Sequence, residues 1–305
     1  MNISCHNHTN KGVNSVEIFS YIKYPAKNVS SEKYAAGFSI KLSMKGKLLW
    51  PFSLLFFLCN AAAAQQPAVK KNPRFNVVAL SENGGHHIEY SKAAKTWLNK
   101  LAADSNFTIH YIENSSSIND TMLAQYQLFI QLDYPPYGWT EQAVMAFQKY
   151  IEQGKGGWLG FHHASLLGEF DGYPMWQWFS GFMGGIRYQN YIAGFVSAKV
   201  TIEDKQHPCM KAVPASFIIE KDEFYTYNKS PRPNVHVIAS VDESTYTPAS
   251  IIKMGDHPVI WSNENVAARN LYIFMGHSPD LFKNETYTTI FRNAIFWAAE
   301  KAASH

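Results

Sequence analysis

The chain has 305 residues, of which 46% are hydrophobic and 15% aromatic, and its formal net charge at pH 7 is +3. Because this charge is small and the lysines and arginines are scattered along the chain, the composition argues against a nucleic-acid-binding protein. A chain of this length and apolar content can instead bury a core of its own as one large domain.

A segment near the N-terminus, residues 44–64, has the pattern of a secretory signal peptide. Lys45 and Lys47 form a short basic region, residues 48–59 are almost entirely apolar, and small residues ending at Ala64 supply a cleavage pattern. The apolar run is shorter than the about 20 residues that a membrane-spanning helix needs. We therefore predict cleavage near Ala64 and a secreted or periplasmic protein without a membrane span in its mature chain.

The beginning of the chain allows more than one interpretation. Met44 directly precedes the predicted signal peptide, so we interpret residues 1–43 as an upstream extension outside the fold; a leader-like anchor within a longer chain is the alternative. A lipid-attachment site at Cys59 ranks below cleavage because bulky residues precede that cysteine. The domain then comprises residues 65–305, where Cys209 is the one cysteine, so we expect no internal disulfide.

The first half of this domain alternates between strand-like and helix-like patterns. Short apolar runs predict strands, and apolar residues at helical spacing predict helices. The predicted strands are 75–81, 107–113, 127–133 and 156–163, and the helices between them are 88–104, 117–126 and 140–154. Such alternation is typical of a parallel sheet that helices cover on both faces.

The second half is less regular. An aromatic, glycine-rich stretch at 171–185 predicts a short helix and loop over the sheet edge. The strand candidates that follow are 196–204, 216–227, 235–241, 257–263 and 270–278, and a helix at 284–303 closes the chain. We interpret this half as a β-rich insertion followed by a return to the α/β sheet.

Polar side chains cluster at the predicted carboxyl ends of strands, where open parallel sheets hold ligands. These residues are His86, His87, Asp133, His162, His163 and His277. Any one of them is compatible with a surface or capping residue, but we predict that the set converges on one cleft. Because side chains alternate along a strand, we expect His162 to face the cleft and His163 to pack or assist from the turn.

An ordered set of sequence pieces resembles the trehalose-utilisation (ThuA-like) family over about residues 75–301: "GGWLGFHHA", "VTIEDKQHP", "KDEFYTY", "DHPVIW" and "YIFMGHSPD". The resemblance implies a flavodoxin-like three-layer α/β fold similar to that of class I glutamine amidotransferases. In those enzymes a Gly-x-Cys turn presents the nucleophile, and a later strand ends in a catalytic histidine. His162 stands at the first of these positions, and His277 resembles the second.

The resemblance also limits the chemistry. With no cysteine at the turn, glutamine hydrolysis through a thioester is not expected, and Cys209 lies in a loop that makes it a poor substitute. Histidines and carboxylates can instead transfer protons or bind a metal ion. The predicted catalytic residues are His162, Glu223 and His277. A divalent ion such as zinc stays open as a cofactor, bound by His162 and His277 with a carboxylate as an oxygen ligand, although no His-Glu-x-x-His pair supports it.

A second group of residues is predicted to bind substrate: His86, His87, Asp133, His163, Trp176 and Asp222. The carboxylates at 222 and 223 precede aromatic residues and could hold a sugar beside stacking rings, or form an exposed acidic turn. The resemblance favours Glu223 as the site residue over Asp222. Trp176 is a candidate sugar platform, with core packing as the alternative.

The resemblance implies an exported carbohydrate-processing enzyme that acts on a disaccharide or a keto-glycoside by His/carboxylate acid–base or metal-assisted chemistry. A hydrolase, a lyase or an isomerase would each fit, since a fold does not determine a reaction. The alternatives are a non-catalytic sugar-binding protein and a metal-dependent hydrolase of another small substrate. We expect a small carbohydrate as ligand, and a homodimer stays open. Where relatives carry a histidine after the "GG" at 184–185, this chain has Arg187 and Gln189, which puts the family's chemistry in doubt here.

Overall fold

The computed structural model describes residues 72–82 and 87–300. The predicted extension at 1–43, the predicted signal peptide at 44–64 and His86 lie outside the described residues. No helix within the described ranges is both long enough and apolar enough to cross a membrane.

Strands and helices alternate as predicted in the first half, and strands dominate the second. The strands are β1 (Asn76–Ser81), β2 (Thr108–Ile112), β3 (Leu128–Leu132), β4 (Gly157–Phe161), β5 (Tyr188–Tyr191), β6 (Val196–Ile202), β7 (Ser216–Asp222), β8 (Tyr225–Tyr227), β9 (His236–Thr247), β10 (Pro258–Ser262) and β11 (Asn270–Ile273). The helices are α1 (Ile88–Ser105), α2 (Asp120–Leu123), α3 (Glu141–Glu152), α4 (Gln177–Phe182) and α5 (Glu285–Ala299).

Nine of the eleven described strands build one large sheet in the order β2-β1-β3-β4-β11-β10-β9-β6-β7, and β5 and β8 form a small two-stranded sheet. Strands β2, β1, β3, β4 and β11 are mutually parallel, whereas β10, β9, β6 and β7 join them in antiparallel pairs. The predicted return to the α/β sheet is confirmed at β11. The β-rich part extends the same sheet, because β10 pairs with β11, β9 with β10, β6 with β9 and β7 with β6.

Helices cover both faces of the parallel half, which makes three layers. On β4, Trp158 packs its ring 5.1 Å from that of Phe182 in α4, while Phe161 packs 4.4 Å from Phe291 in α5. Side chains an odd number of residues apart point to opposite faces of a strand. The two helices therefore lie on opposite sides of the sheet, and all five residues of β4 are buried.

Several predicted boundaries were wrong, including those of β4 and β9, and three of the differences concern whole elements. The predicted helix at 117–126 is only α2, one short turn capped by Asn119. The predicted strand at 216–227 divides at residues 223–224 into β7 and β8, and β8 pairs with β5 outside the large sheet. The predicted strand at 270–278 ends at Ile273. The N–H of Phe274 still donates to the carbonyl of Val259 in β10, whereas those of Gly276, His277 and Ser278 donate to the side chain of Asp222.

The one cysteine of the predicted mature chain, Cys209, is buried and free. Burial raises the pKa of its thiol well above the usual range, so almost no thiolate is present at neutral pH. Its backbone carbonyl accepts a hydrogen bond from Asn293 of α5. Cys209 therefore packs as a small apolar residue and does not replace the missing nucleophile.

Contact between β4 and α5 depends on the absence of a side chain at Gly157. A Cβ atom at this position would lie 2.1 Å from the carbonyl oxygen of Ala298, a backbone atom that cannot swing away. We expect Gly157→Ala to lower the free energy of unfolding by about 1–3 kcal/mol, the usual cost of overpacking. Urea unfolding measures it.

The matched control is Gly181→Ala in α4. A Cβ atom there meets nothing within 4 Å, and the backbone is not left-handed. We expect this variant to be more stable by about 0.5–1 kcal/mol, as a helical glycine-to-alanine change usually is. Equal effects of the two variants would refute the close approach of β4 to α5.

Candidate functional site

The site lies at the carboxyl ends of the central parallel strands. His162 follows β4 directly, and His277 stands four residues after the end of β11. Parallel pairing of Ile273 with Phe161 brings these two strand ends together. The rings of His162 and His277 consequently lie 5.4 Å apart, centroid to centroid, although 115 positions separate them in sequence.

Four side chains converge at this edge: His87, His162, Glu223 and His277. We call them the His–Glu cluster. One nitrogen or oxygen from each lies within 4.8 Å of all the others. Glu223 Oε2 lies 3.2 Å from His162 Nε2 and 3.4 Å from His277 Nδ1, and His87 Nε2 lies 2.6 Å from His277 Nδ1. The predicted convergence of distant histidines is therefore found.

His162 is held in one orientation by its surroundings. Its backbone φ is 37°, in the left-handed region, which costs a residue other than glycine of order 1–3 kcal/mol. The carbonyl of His162 accepts hydrogen bonds from Tyr272 Oη and Ser165 Oγ, both at 2.9 Å. Its Nδ1 lies 3.1 Å from the carbonyl oxygen of Phe274 and donates to it, which leaves Nε2 facing Glu223. The ring of Tyr225 stacks on the imidazole at 4.4 Å.

The loop that carries His277 is fastened by Asp222. The backbone N–H groups of Gly276, His277 and Ser278 donate to the carboxylate of Asp222 at 3.1, 3.0 and 3.0 Å. Asp222 is fully buried. Burial raises its pKa, although the neighbouring His162 and these N–H groups oppose the rise. Both carboxylate oxygens of Asp222 accept hydrogen bonds from backbone N–H groups. This geometry favours a positioning role over the predicted contact with substrate.

Glu223 is the anionic member of the cluster. Burial by itself would raise the pKa of its carboxyl group, but hydrogen bonds from His162 and His277 outweigh burial and hold the pKa well below its usual range. The side chains of Glu223 and His277 are 16% and 14% exposed, whereas that of His162 is fully buried. A ligand can therefore reach the cluster from the side of Glu223 and His277.

Two predicted binding residues lie beside the cluster. The ring of His163 lies 3.7 Å from that of His87, and its Nδ1 is 3.8 Å from Glu82 Oε2. Burial lowers the pKa of His163, with Glu82 acting in the opposite direction. Asp133 is fully buried at the end of β3, where burial, then Asp222 and Glu82, raise the pKa of its carboxyl group.

Trp176 lies apart from these groups. Its ring packs 5.4 Å from Trp139 and 5.1 Å from Phe179, and none of its ring contacts among the described residues is with a histidine of the cluster. Tyr225 and Glu82 were not singled out as site residues. Glu82 directly follows β1, at the same strand-end position that identified the histidines, so the sequence could have indicated it. Tyr225 could not be predicted, because no sequence pattern specifies which aromatic ring contacts a histidine.

The donor set suits a divalent transition metal. Zinc binds imidazole nitrogens and carboxylate oxygens at about 2.0–2.2 Å in tetrahedral sites, which places neighbouring donors about 3.3 Å apart. The two distances from Glu223 to histidine nitrogens, 3.2 and 3.4 Å, agree with that spacing, whereas His87 Nε2 and His277 Nδ1 are 2.6 Å apart and would have to separate to bind one ion. The Nδ1–H of His162, bonded to a backbone carbonyl, is the outer contact that usually orients a metal-binding histidine.

Comparison with known proteins agrees with the sequence resemblance. The model of the ThuA family, described as trehalose utilisation, matches residues 76–298. A ThuA-like protein from Bacteroides uniformis aligns with 29% identity and a TM-score of 0.67 over 75% of this chain and 92% of its own. A second, from Parabacteroides merdae, aligns with 17% identity and a TM-score of 0.57 over 77% and 93%. No protein with a curated description is significantly similar.

The fold is the predicted three-layer α/β type, with a large, parallel-rich central sheet. The family match covers most of the chain and includes every residue of the His–Glu cluster. The chain therefore belongs to the trehalose-utilisation (ThuA) family, which gives it a carbohydrate-related role.

Proposed function

We propose that the chain is an exported carbohydrate-processing enzyme whose His–Glu cluster binds one divalent metal ion, zinc being the best match to three imidazoles and a carboxylate. The observation that carries the proposal is the convergence of these four side chains within 4.8 Å at a solvent-reachable strand edge. The substrate would be a disaccharide or a keto-glycoside.

The hydrogen bond from His162 Nδ1 to the Phe274 carbonyl supports a cation between His162 and Glu223. With its Nδ1–H given to the Phe274 carbonyl, a neutral His162 turns a lone pair on Nε2 toward Glu223, 3.2 Å away. The carboxylate of Glu223 also accepts when it is ionised, so two acceptors would then face each other. A metal ion between them, or a second proton on His162, removes that repulsion. A bound ion would polarise a sugar oxygen as a Lewis acid.

The remaining residues would position substrate and move protons. His163 is our candidate for proton transfer, because it lies beside His87 and within 3.8 Å of Glu82 without belonging to the four donors. Asp222 would hold His277 in place through the backbone of its loop. A homodimer is compatible with this scheme and is not required by it.

Acid–base catalysis without a metal is the second candidate. It is favoured by the 2.6 Å separation of His87 Nε2 and His277 Nδ1, which is a hydrogen-bond distance and requires a proton between the two rings. In that case His277 and Glu223 would transfer protons directly. A non-catalytic sugar-binding protein would use the same cleft without turnover.

The metal is tested by elemental analysis of protein purified without chelator. We expect about one zinc or similar ion per chain, and at least a tenfold loss of affinity in His162→Ala, because removing a direct ligand should cost no less than removing its outer contact. His110→Ala is the matched control, since His110 is an exposed histidine bonded to Tyr126 outside the cluster. Metal-free wild-type protein with full activity would leave only the acid–base candidate.

Turnover is tested by incubating the protein with disaccharides, glycosides and 3-keto-glycosides and following the change in mass. We expect product from at least one of them, and at least a tenfold fall in rate in His162→Ala, because loss of a direct metal ligand should cost no less than the about 10–100-fold loss of activity that follows removal of an outer contact. His110→Ala should keep the wild-type rate. Wild-type activity in His162→Ala would remove that residue from the mechanism, and binding without product would favour the sugar-binding alternative.

Export is tested by expressing the full chain in a Gram-negative host and determining the N-terminus of the protein in each cell fraction. We expect a periplasmic or secreted form that begins near Gln65. Leu55→Arg places a charge in the apolar run and should block both export and cleavage. A wild-type protein that remains in the cytoplasm and begins at Met1 would contradict the predicted leader.

A further inference from the structure

A continuous series of aromatic rings leads from the protein surface to the His–Glu cluster. We call it the aromatic file; its members, in order, are Tyr173, Tyr137, Phe170, Tyr188 and Tyr225. Successive ring centroids lie 6.3, 5.3, 5.9 and 5.3 Å apart, and the last ring stacks on His162 at 4.4 Å. The file is thus in direct contact with the cluster.

The rings become more buried along the file. Tyr173 at the outer end is 50% exposed, the next three are half-buried, and Tyr225 at the inner end is 3% exposed. The four outer rings stay partly open to water, so core packing does not cover them completely. Clustered, partly exposed apolar surface of this kind marks binding sites, and aromatic side chains are the usual lining of small-molecule clefts.

A tight turn holds the outer rings in place. Phe170 and Tyr173 are paired through both backbone hydrogen bonds, at 2.8 and 3.3 Å, across Asp171 and Gly172. The φ angles of these two turn residues are 52° and 81°, as in a type I′ turn, for which Asp-Gly is a favoured pair. A rigid turn lowers the entropy lost when a ligand packs on the rings. The file is therefore pre-organised at its outer end.

Polar groups border the file. Glu169 and Arg187, the sequence neighbours of Phe170 and Tyr188, approach each other at 3.8 Å and are largely exposed. Burial, and then the charge of Glu223, raise the pKa of Tyr188 to about 12, so its hydroxyl remains a hydrogen-bond donor. Flat apolar rings edged by a carboxylate, a guanidinium and a hydroxyl match a sugar, which has apolar C–H faces and a rim of hydroxyls.

We propose that the aromatic file is a second subsite that binds the ring attached to the one reacting at the His–Glu cluster. One sugar ring at the cluster lies beside Tyr225 and Tyr188, which leaves the outer rings for a second. The preferred ligands are then glycosides of at least two rings. The inference rests on the proposed function, because the cluster defines which end of the ligand reacts.

The test compares binding of a disaccharide, trehalose or maltose, with that of methyl glucoside, which has one ring, by calorimetry. We expect the wild-type protein to bind a disaccharide more tightly. Tyr173→Ala and Phe170→Ala should each weaken disaccharide binding by about 3–10-fold, the usual worth of an aromatic contact. Binding of methyl glucoside should not change, and Phe170→Tyr should keep the wild-type affinity for the disaccharide.

Met145→Ala is the matched control, because Met145 of α3 is a 65% exposed apolar side chain outside the file. Tyr173→Ala carries the test if Phe170→Ala fails to fold, since half of the Tyr173 side chain is already exposed. Disaccharides that bind no better than methyl glucoside, or variants that weaken both ligands equally, would overturn the subsite. Disaccharide-selective binding without any turnover would leave the subsite standing and refute the enzyme.

Discussion

Parallel pairing of β4 with β11 is the interaction on which the site depends. The register that sets Ile273 opposite Phe161 also sets the distance between the turn at His162 and the loop at His277. Because α4 and strands β5 to β10 lie between β4 and β11 in the sequence, this pairing joins residues that are far apart along the chain. A shift of one residue would turn every side chain of β11 to the opposite face and would separate the two histidines.

The antiparallel half does more than extend the sheet. It supplies Asp222 at the end of β7 and Glu223 directly after it, so one short segment both fastens the His277 loop and provides the anion of the cluster. Residues 223 and 224 connect β7 of the large sheet to β8 of the small one. Tyr225 then stacks on His162. Both the β-rich insertion and the parallel half therefore contribute residues to the site.

A histidine at the turn after β4 changes what the position can do. A cysteine there would act through a thiolate, whereas His162 is buried, has one nitrogen committed to a backbone carbonyl and points the other at Glu223. The hydroxyl groups of Tyr272 and Ser165 hold the strained turn in this orientation. Such an arrangement is suited to binding a cation or a proton between Nε2 and Glu223, because Nδ1 is already hydrogen-bonded to the Phe274 carbonyl.

Much of the site could be predicted from sequence because strand ends are local features. Apolar runs define β1, β3 and β4, and the polar residues that follow them, His87, Asp133 and His162, must meet at one edge if the strands are parallel. The same information cannot assign roles. Whether Asp222 or Glu223 faces the cluster depends on where β7 stops, and whether Trp176 or Tyr173 borders the cleft depends on how a turn and a short helix pack. Those outcomes are decided by long-range pairing and by close packing between elements, which the local pattern of residues does not contain.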